Sequence, residues 1–259
     1  MKRNVLCVGL VLMSFFVFFA CLSDNEDVFV SYGVIRNVNS ASNYEILTDK
    51  GSTLKVSKSH SSPETVENDK RVLVNYEILS DKDKNRKIYE VMVNGFYSLL
   101  SKDVVYESFI MQDEEVRRDS IGNDPFNTIY AAFSGNYINI DFEVYNVHHS
   151  DVKHMLNLVY DDTRADADTI YLTLYHNAYG EIPGKRFNLD NGVGRSSFLI
   201  SNLLPQGVTS KPVKLTWTEY TNYNQPVVRS KSRTFKLGDT STDNRIAQQT
   251  GIDSSLQIR

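Results

Sequence analysis

The sequence predicts an all-β chain in two modules, an N-terminal five-stranded OB-like barrel followed by a C-terminal immunoglobulin-like antiparallel β-sandwich. Three observations carry this. Apolar and polar residues alternate with period two in run after run from Val28 to Leu237, and no long 3.6-residue periodicity competes. The runs fall into two groups on either side of a polar, charged stretch, Met111 to Asp124, which is followed by Pro125. The chain has 259 residues, 41% apolar and 23% charged, enough for two ordinary domains with buried cores.

In the first group Val28 to Asn37 opens the barrel, with Gly33 expected at a bulge or bend inside the strand. Tyr44 to Leu47 and Ser52 to Val56 flank Thr48-Asp49-Lys50-Gly51, a hairpin turn whose glycine tolerates positive φ. A polar loop leads to Arg71 to Leu79, where Val72, Val74, Tyr76 and Ile78 alternate with polar and other apolar residues. Ile88 to Val93 follows the charged loop Ser80 to Arg86, and Asp103 to Tyr106 is the last short strand. Compact strands around one longer connection fit an OB-type Greek-key barrel, and an SH3-like barrel has much the same signature.

The second group has seven strand candidates: Thr128 to Phe133, Tyr137 to Tyr145, Met155 to Tyr160, Thr169 to His176, Arg195 to Ile200, Pro212 to Tyr220 and Val227 to Leu237. Their number and spacing suggest the sandwich. Trp217, mid-strand, is expected in its core. The resulting organisation is a signal peptide (1–20), a tether (21–27), the barrel (28–108), a linker (109–125), the sandwich (126–238) and a polar tail (239–259).

The amino-terminal segment specifies location. Lys2 and Arg3 precede an apolar run, Val5 to Ala20, that is short for crossing a bilayer, which takes about 20 residues, but suits a signal peptide. It ends Phe18-Phe19-Ala20-Cys21, which resembles a bacterial lipobox with phenylalanine where leucine is more usual. Cys7 and Cys21 are the two cysteines, so cleavage before Cys21 leaves a folded part with no disulfide framework and one cysteine free to carry lipid. Several acyl chains on that residue give stable anchoring. The following Ser23, Asp24, Asn25, Glu26 and Asp27 resemble the export signal that sends Bacteroidetes lipoproteins to the outer face of the outer membrane. Cleavage removes Lys2 and Arg3 and takes the formal charge from −4 to −6. That balance, without any long basic run, argues against a nucleic-acid partner.

Several clusters invite chemistry. His148-His149-Ser150-Asp151-Val152-Lys153-His154, with His176 as a distant ligand, has metal-binding residue types but no second ligand pair at a zinc spacing. Asp161 to Asp168 is rich in carboxylates yet lacks the glycine and order of a calcium loop. His176 with Glu181 could do acid–base work, whereas the structural alternative has Asn177 and Gly180 shaping a turn and His176 meeting a buried partner. Asn191-Gly192-Val193-Gly194-Arg195 precedes a strand, not a helix, and so makes a poor phosphate cradle. The structural reading is preferred for each; no catalytic residue, metal or cofactor is expected. Tyr179, Tyr220 and Tyr223 sit at expected loops and are candidate contact residues.

The order of short motifs resembles the NigD-like lipoproteins of Bacteroides and Prevotella relatives. These motifs are Gly33-Val34-Ile35, Asp49-Lys50-Gly51, Lys70 to Tyr76, Gly135 to Ile140, Lys153 to Leu158, and His176 to Glu181, with Glu181 where an aspartate is usual. The resemblance spans about Val28 to Leu237. It implies an OB-type domain, a β-sandwich domain and no known enzymatic activity; one member was proposed as a bacteriocin immunity factor. The resulting expectation is a non-catalytic cell-surface lipoprotein. It would be held to the outer membrane by lipid and bind an extracellular protein, with glycan binding and an uncharacterised hydrolase as alternatives.

Overall fold

The computed structural model of the protein describes residues 28–60, 66–147, 152–164, 168–181, 189–221 and 225–238. The segment expected as a signal peptide, the expected lipid-bearing Cys21, the expected export signal Ser23, Asp24, Asn25, Glu26 and Asp27, and the polar tail lie outside the described residues.

Strands β1 (Val28–Ser40), β2 (Asn43–Thr48), β3 (Thr53–Ser59), β4 (Arg71–Asp83) and β5 (Ile88–Ser98) form a closed barrel in the order β1-β2-β3-β5-β4. Alternate residues point inward: Ile35, Ile46, Leu54, Val72, Val74 and Val91 are among the fully buried side chains that fill it. The strand β1 serves two neighbours: Gly33 faces Thr48 of β2 and Val72 of β4, and Val34 faces Leu47 and Arg71. A Cβ on Gly33 would lie 2.6 Å from the Ile46 Cγ2 and 2.9 Å from the Leu47 carbonyl oxygen. Close approach of backbone is thus what requires the glycine. Gly51, at φ 75°, closes the β2–β3 turn as anticipated.

Asp103 to Tyr106 does not complete the barrel. The five strands already close on themselves and leave no edge, so the chain beyond Ser98 pairs elsewhere. Strand β6 (Leu100–Lys102) runs parallel to β12 (Leu189–Leu199), and β7 (Val105–Tyr106) runs parallel to β10 (Met155–Tyr160). The barrel ends at Ser98, ahead of the expected boundary at residue 108.

The stretch 109–125, expected as a linker, is also different. It holds helix α1 (Glu107–Ile110), a 3-10 turn (Met111–Asp113) and helix α2 (Glu114–Ile121). Ile110 and Ile121 are buried against Val159, Val105 and Tyr175, so the segment is a helical strap on the sandwich.

The remaining strands are β8 (Thr128–Ser134), β9 (Tyr137–Val147), β11 (Ile170–Asn177), β13 (Ser210–Tyr220) and β14 (Pro226–Lys236). They make two sheets, β14-β13-β11-β10-β7 and β6-β12-β9-β8. Phe126, Phe142, Leu158, Leu172, Phe198 and Phe235 belong to the apolar layer between them, and Trp217 packs on that layer, as its mid-strand place predicts. The sandwich is not antiparallel throughout: β11 and β13 pair in parallel from Ile170↔Val213 to Leu174↔Trp217, in addition to β6 and β7.

Candidate functional site

The ionisable side chains most deeply buried in the sandwich form a chain. His154 immediately precedes β10, and its Nε2 lies 3.0 Å from Glu181 Oε2 while its Nδ1 lies 3.0 Å from His176 Nε2 on β11. Exposure is 0% for His154, 1% for His176 and 2% for Glu181. His176 faces inward, opposite Leu156 in the β10–β11 ladder, with its ring 5.2 Å from that of Phe126.

A turn brings the carboxylate to this place. The Asn177 side chain accepts from the Tyr179 N–H at 2.9 Å, Tyr179 and Gly180 adopt φ of 49° and 90°, and the Glu181 N–H donates to the Ala178 carbonyl at 3.0 Å. Asp124 braces the turn by accepting from the Ala178 N–H at 2.7 Å. The turn is thus shaped by Asn177 and Gly180, and His176 has a buried partner. That partner is His154, which stands between His176 and Glu181 and separates the pair that the acid–base reading joined.

The three groups form a buried relay of two 3.0 Å contacts whose donor and acceptor roles follow the imidazole tautomers. His176 Nδ1 has no hydrogen-bond partner among the described residues. Burial, reinforced by the neighbouring His154, lowers the His176 pKa from 6.5 to about 3. A carboxylate orienting an imidazole is half of a nucleophile-activating triad. Here a second imidazole occupies the nucleophile's place, and protein surrounds all three groups. The arrangement clips β10, β11 and the 177–181 turn together.

The other clusters resolve separately. His148, His149, Ser150 and Asp151 lie outside the described residues, as does Tyr223; among the described residues no cluster of three or more metal-ligating side chains has a geometry suited to an ion. Asp161 accepts from Thr163 and Arg164 within its own turn, whereas Asp162 accepts from the Ser108 N–H and hydroxyl and ties that turn to α1. Gly194 lies in β12, where a Cβ would meet the Phe142 ring at 2.4 Å, and Arg195 donates from Nε to Asp141 at 2.9 Å. That glycine makes room for a core ring. Tyr220 is half-buried beside Tyr145, at 5.8 Å between ring centroids, whereas Tyr179 is exposed.

A second buried constellation was missed by sequence reasoning. Arg71, the first residue of β4, donates to both carboxylate oxygens of Asp49 at 2.5 and 2.6 Å. The same guanidinium reaches the sandwich, donating to Ser197 Oγ at 3.0 Å and Asn139 Oδ1 at 3.3 Å and lying 3.9 Å from the Tyr137 ring centroid. Opposite charge, planar fork and aromatic face all favour arginine over lysine here. The turn bearing Asp49 approaches the β8–β9 turn closely enough that a Cβ on Gly135 would lie 3.1 Å from the Asp49 side chain. Arg71 therefore joins the two domains. Its signal was present, since Asp49, Arg71, Gly135, Tyr137 and Asn139 all stand in the motifs that carry the family resemblance.

Comparison with known proteins agrees with this architecture. The model of the NigD-like N-terminal OB domain matches residues 32–99, and that of the NigD-like C-terminal beta sandwich domain matches residues 108–235. No curated protein matches the chain. Among solved structures, a protein of unknown function from Bacteroides vulgatus is 18% identical, with 89% of this chain and 100% of that chain covered and a TM-score of 0.61. A NigD-like immunity protein from Bacteroides caccae is 17% identical, with 80% and 94% covered and a TM-score of 0.58. A structure from Bacteroides fragilis, described as that of a candidate lipoprotein, is 12% identical, with 83% and 100% covered and a TM-score of 0.55. At these identities the solved structures attest the fold. The two domain matches, in order and over most of the chain, establish that the chain belongs to the NigD-like family.

Proposed function

We propose that the protein is a lipid-anchored, non-catalytic binding protein of the outer membrane, displayed on the cell surface, with a protein as its partner in an immunity-like role. The carrying observation is the sealing of the Glu181–His154–His176 chain: the His176 and Glu181 that the sequence offered for acid–base work are each 2% exposed or less, with His154 between them. Anchoring through Cys21, with Ser23, Asp24, Asn25, Glu26 and Asp27 as export signal, follows from the amino-terminal sequence. The Bacteroides fragilis neighbour described as a candidate lipoprotein is consistent with it.

The helical strap supports a protein partner. Phe109, Met111 and Val116 are each more than half exposed on it, beside a groove lined by Glu115, Arg118, Asp119 and Tyr175. Exposed apolar side chains on one strap, with Arg117 over the Phe109 ring and charged groups along the groove, suit a protein-binding surface. The neighbour from Bacteroides caccae is described as an immunity protein, which fits a bacteriocin-like partner. On the barrel, Glu45 pairs with Lys55 at 3.5 Å and Glu90 with Lys82 at 2.5 Å. An OB face neutralised in this way does not suit a nucleic acid.

Deletion of the gene should raise killing by a bacteriocin from a neighbouring strain, and complementation with Phe109→Asp/Val116→Asp should fail to restore protection. Unchanged sensitivity across a broad bacteriocin panel would refute the immunity-like role.

A further inference from the structure

Strands β1 and β4, of 13 residues each, are offset at the amino-terminal end of the barrel in a way that points toward the membrane. Among the described residues the last pairing between β1 and β4 is Val28↔Glu77, and β4 continues through Ile78 to Asp83 before returning in β5 at Ile88. Because the two strands are antiparallel, this hairpin projects past Val28 on the side from which the chain enters the barrel. Six further residues carry it about 20 Å in that direction. The seven residues from Cys21 to Asp27 can span at most about 25 Å. A lipid on Cys21 and the tip of the hairpin therefore reach comparable depths.

The side chains at this end are of two kinds. Val28, Phe29, Ile78 and Leu79 are adjacent through the β1–β4 ladder and are 38% to 50% exposed. Phe29 stacks on Tyr76 at the mouth of the barrel, with 5.6 Å between centroids. The hairpin beyond them bears Lys82, Lys84, Arg86 and Lys87 against Asp81, Asp83 and Glu90; Glu90 pairs with Lys82 and Asp83 with Arg86, so Lys84 and Lys87 carry the local positive excess on a chain of net charge −4.

We infer that this end of the barrel seats on the phosphate-bearing headgroup layer of the membrane, with Val28, Phe29, Ile78 and Leu79 at the headgroup–acyl boundary and the hairpin cations on the phosphates. The inference rests on the lipid-anchor reading above. The acidic tether (Asp24, Glu26, Asp27) is a competing occupant, but it answers only the cations; a headgroup layer answers the apolar residues as well. Docked this way, the barrel lies next to the membrane.

The test uses acylated full-length protein added to preformed vesicles of phosphatidylethanolamine and phosphatidylglycerol, with the unacylated Cys21→Ser protein, which keeps the same tether, as reference. Flotation reports anchoring, and trypsin cleavage after Lys82, Lys84, Arg86 and Lys87 reports docking. The expected result is a floating protein whose hairpin is cut roughly tenfold or more slowly than in the reference. Lys84→Glu/Lys87→Glu should still float yet lose the protection at Arg86. A protein that floats with its hairpin cut as fast as the reference refutes membrane docking and leaves the anchor intact. Equal resistance in both proteins assigns the hairpin to the tether and likewise refutes docking. Failure of the acylated preparation to float overturns the anchor reading, and docking falls with it.

Discussion

Burial and the adjacent His154 hold the His176 pKa at about 3, against 6.5 for a free imidazole, and this ties stability to pH in one direction. Unfolded chains take up a proton on this residue as pH falls below about 6.5, while the folded protein resists doing so until about pH 3. The contribution is complete above that window and drains away through it on acidification. Replacement by glutamine, which keeps a polar atom near the Nε2 position, should flatten the acid limb by up to about 1.4 kcal/mol per pH unit. Urea titrations of His176→Gln and the unaltered protein at stepped pH would show it; identical slopes would refute the assignment. Asp49 offers a second test at this scale. Its side chain is 5% exposed and that of Arg71 is 1%, so Asp49→Ala strands a buried cation. A loss of about 3–5 kcal/mol is expected in equilibrium unfolding. Joint replacement of Arg71 and Asp49 by apolar residues of similar volume should recover much of that.

Strands were the most legible elements, because one sheet face is buried and the other is not. The expected Met155 to Tyr160 coincides with β10, and the other sandwich strands differ at their ends, most of all β12, which begins at Leu189 and takes in the glycine-rich stretch expected ahead of the strand. The helical strap was not legible. Its helices are short and only Ile110 and Ile121 are buried, too few and too far apart to print a 3.6-residue pattern. What ends α2 is a tertiary contact: the Asn177 side-chain amide donates to the Asp119 and Ser120 carbonyls at 3.1 Å each. Gly122 follows at φ 71°, where a Cβ would meet the Asn177 Cβ at 2.7 Å. Gly122→Ala should therefore cost more than about 1 kcal/mol and raise amide exchange along α2; unchanged exchange would mean that the strap is held otherwise. The parallel β11–β13 pairing and the meeting of His154 with Glu181 were hidden for one reason. Each joins segments far apart in sequence, and local periodicity says nothing of which strands become neighbours.

For the molecule as a whole, the decisive contact is Arg71, which belongs to the barrel by sequence and to the sandwich by half its hydrogen bonds. The cluster Tyr32, Leu73 and Leu99 adds apolar burial where the chain leaves the barrel. Two domains coupled in this way should unfold in one calorimetric transition. Arg71→Ala should split it into two, with the barrel and sandwich melting apart. A single transition in the variant would place the coupling elsewhere. The fold class was readable from the sequence, but this coupling was not, although its residues stood in the recognised motifs.

Strands β8 and β14 each end their sheet, and among the described residues neither has a partner beyond it. Lys231 and Arg233 of β14 line a narrow cleft with Ala131, Phe133 and Ile138 of the facing sheet, and the Lys231 ammonium lies 5.8 Å from the Tyr130 ring centroid. Two cations thus stand guard over the flank on which one copy could otherwise zip to the next. Substituting both with valine would open that flank to lateral stacking of one copy on the next, and a high local concentration of copies would hasten it.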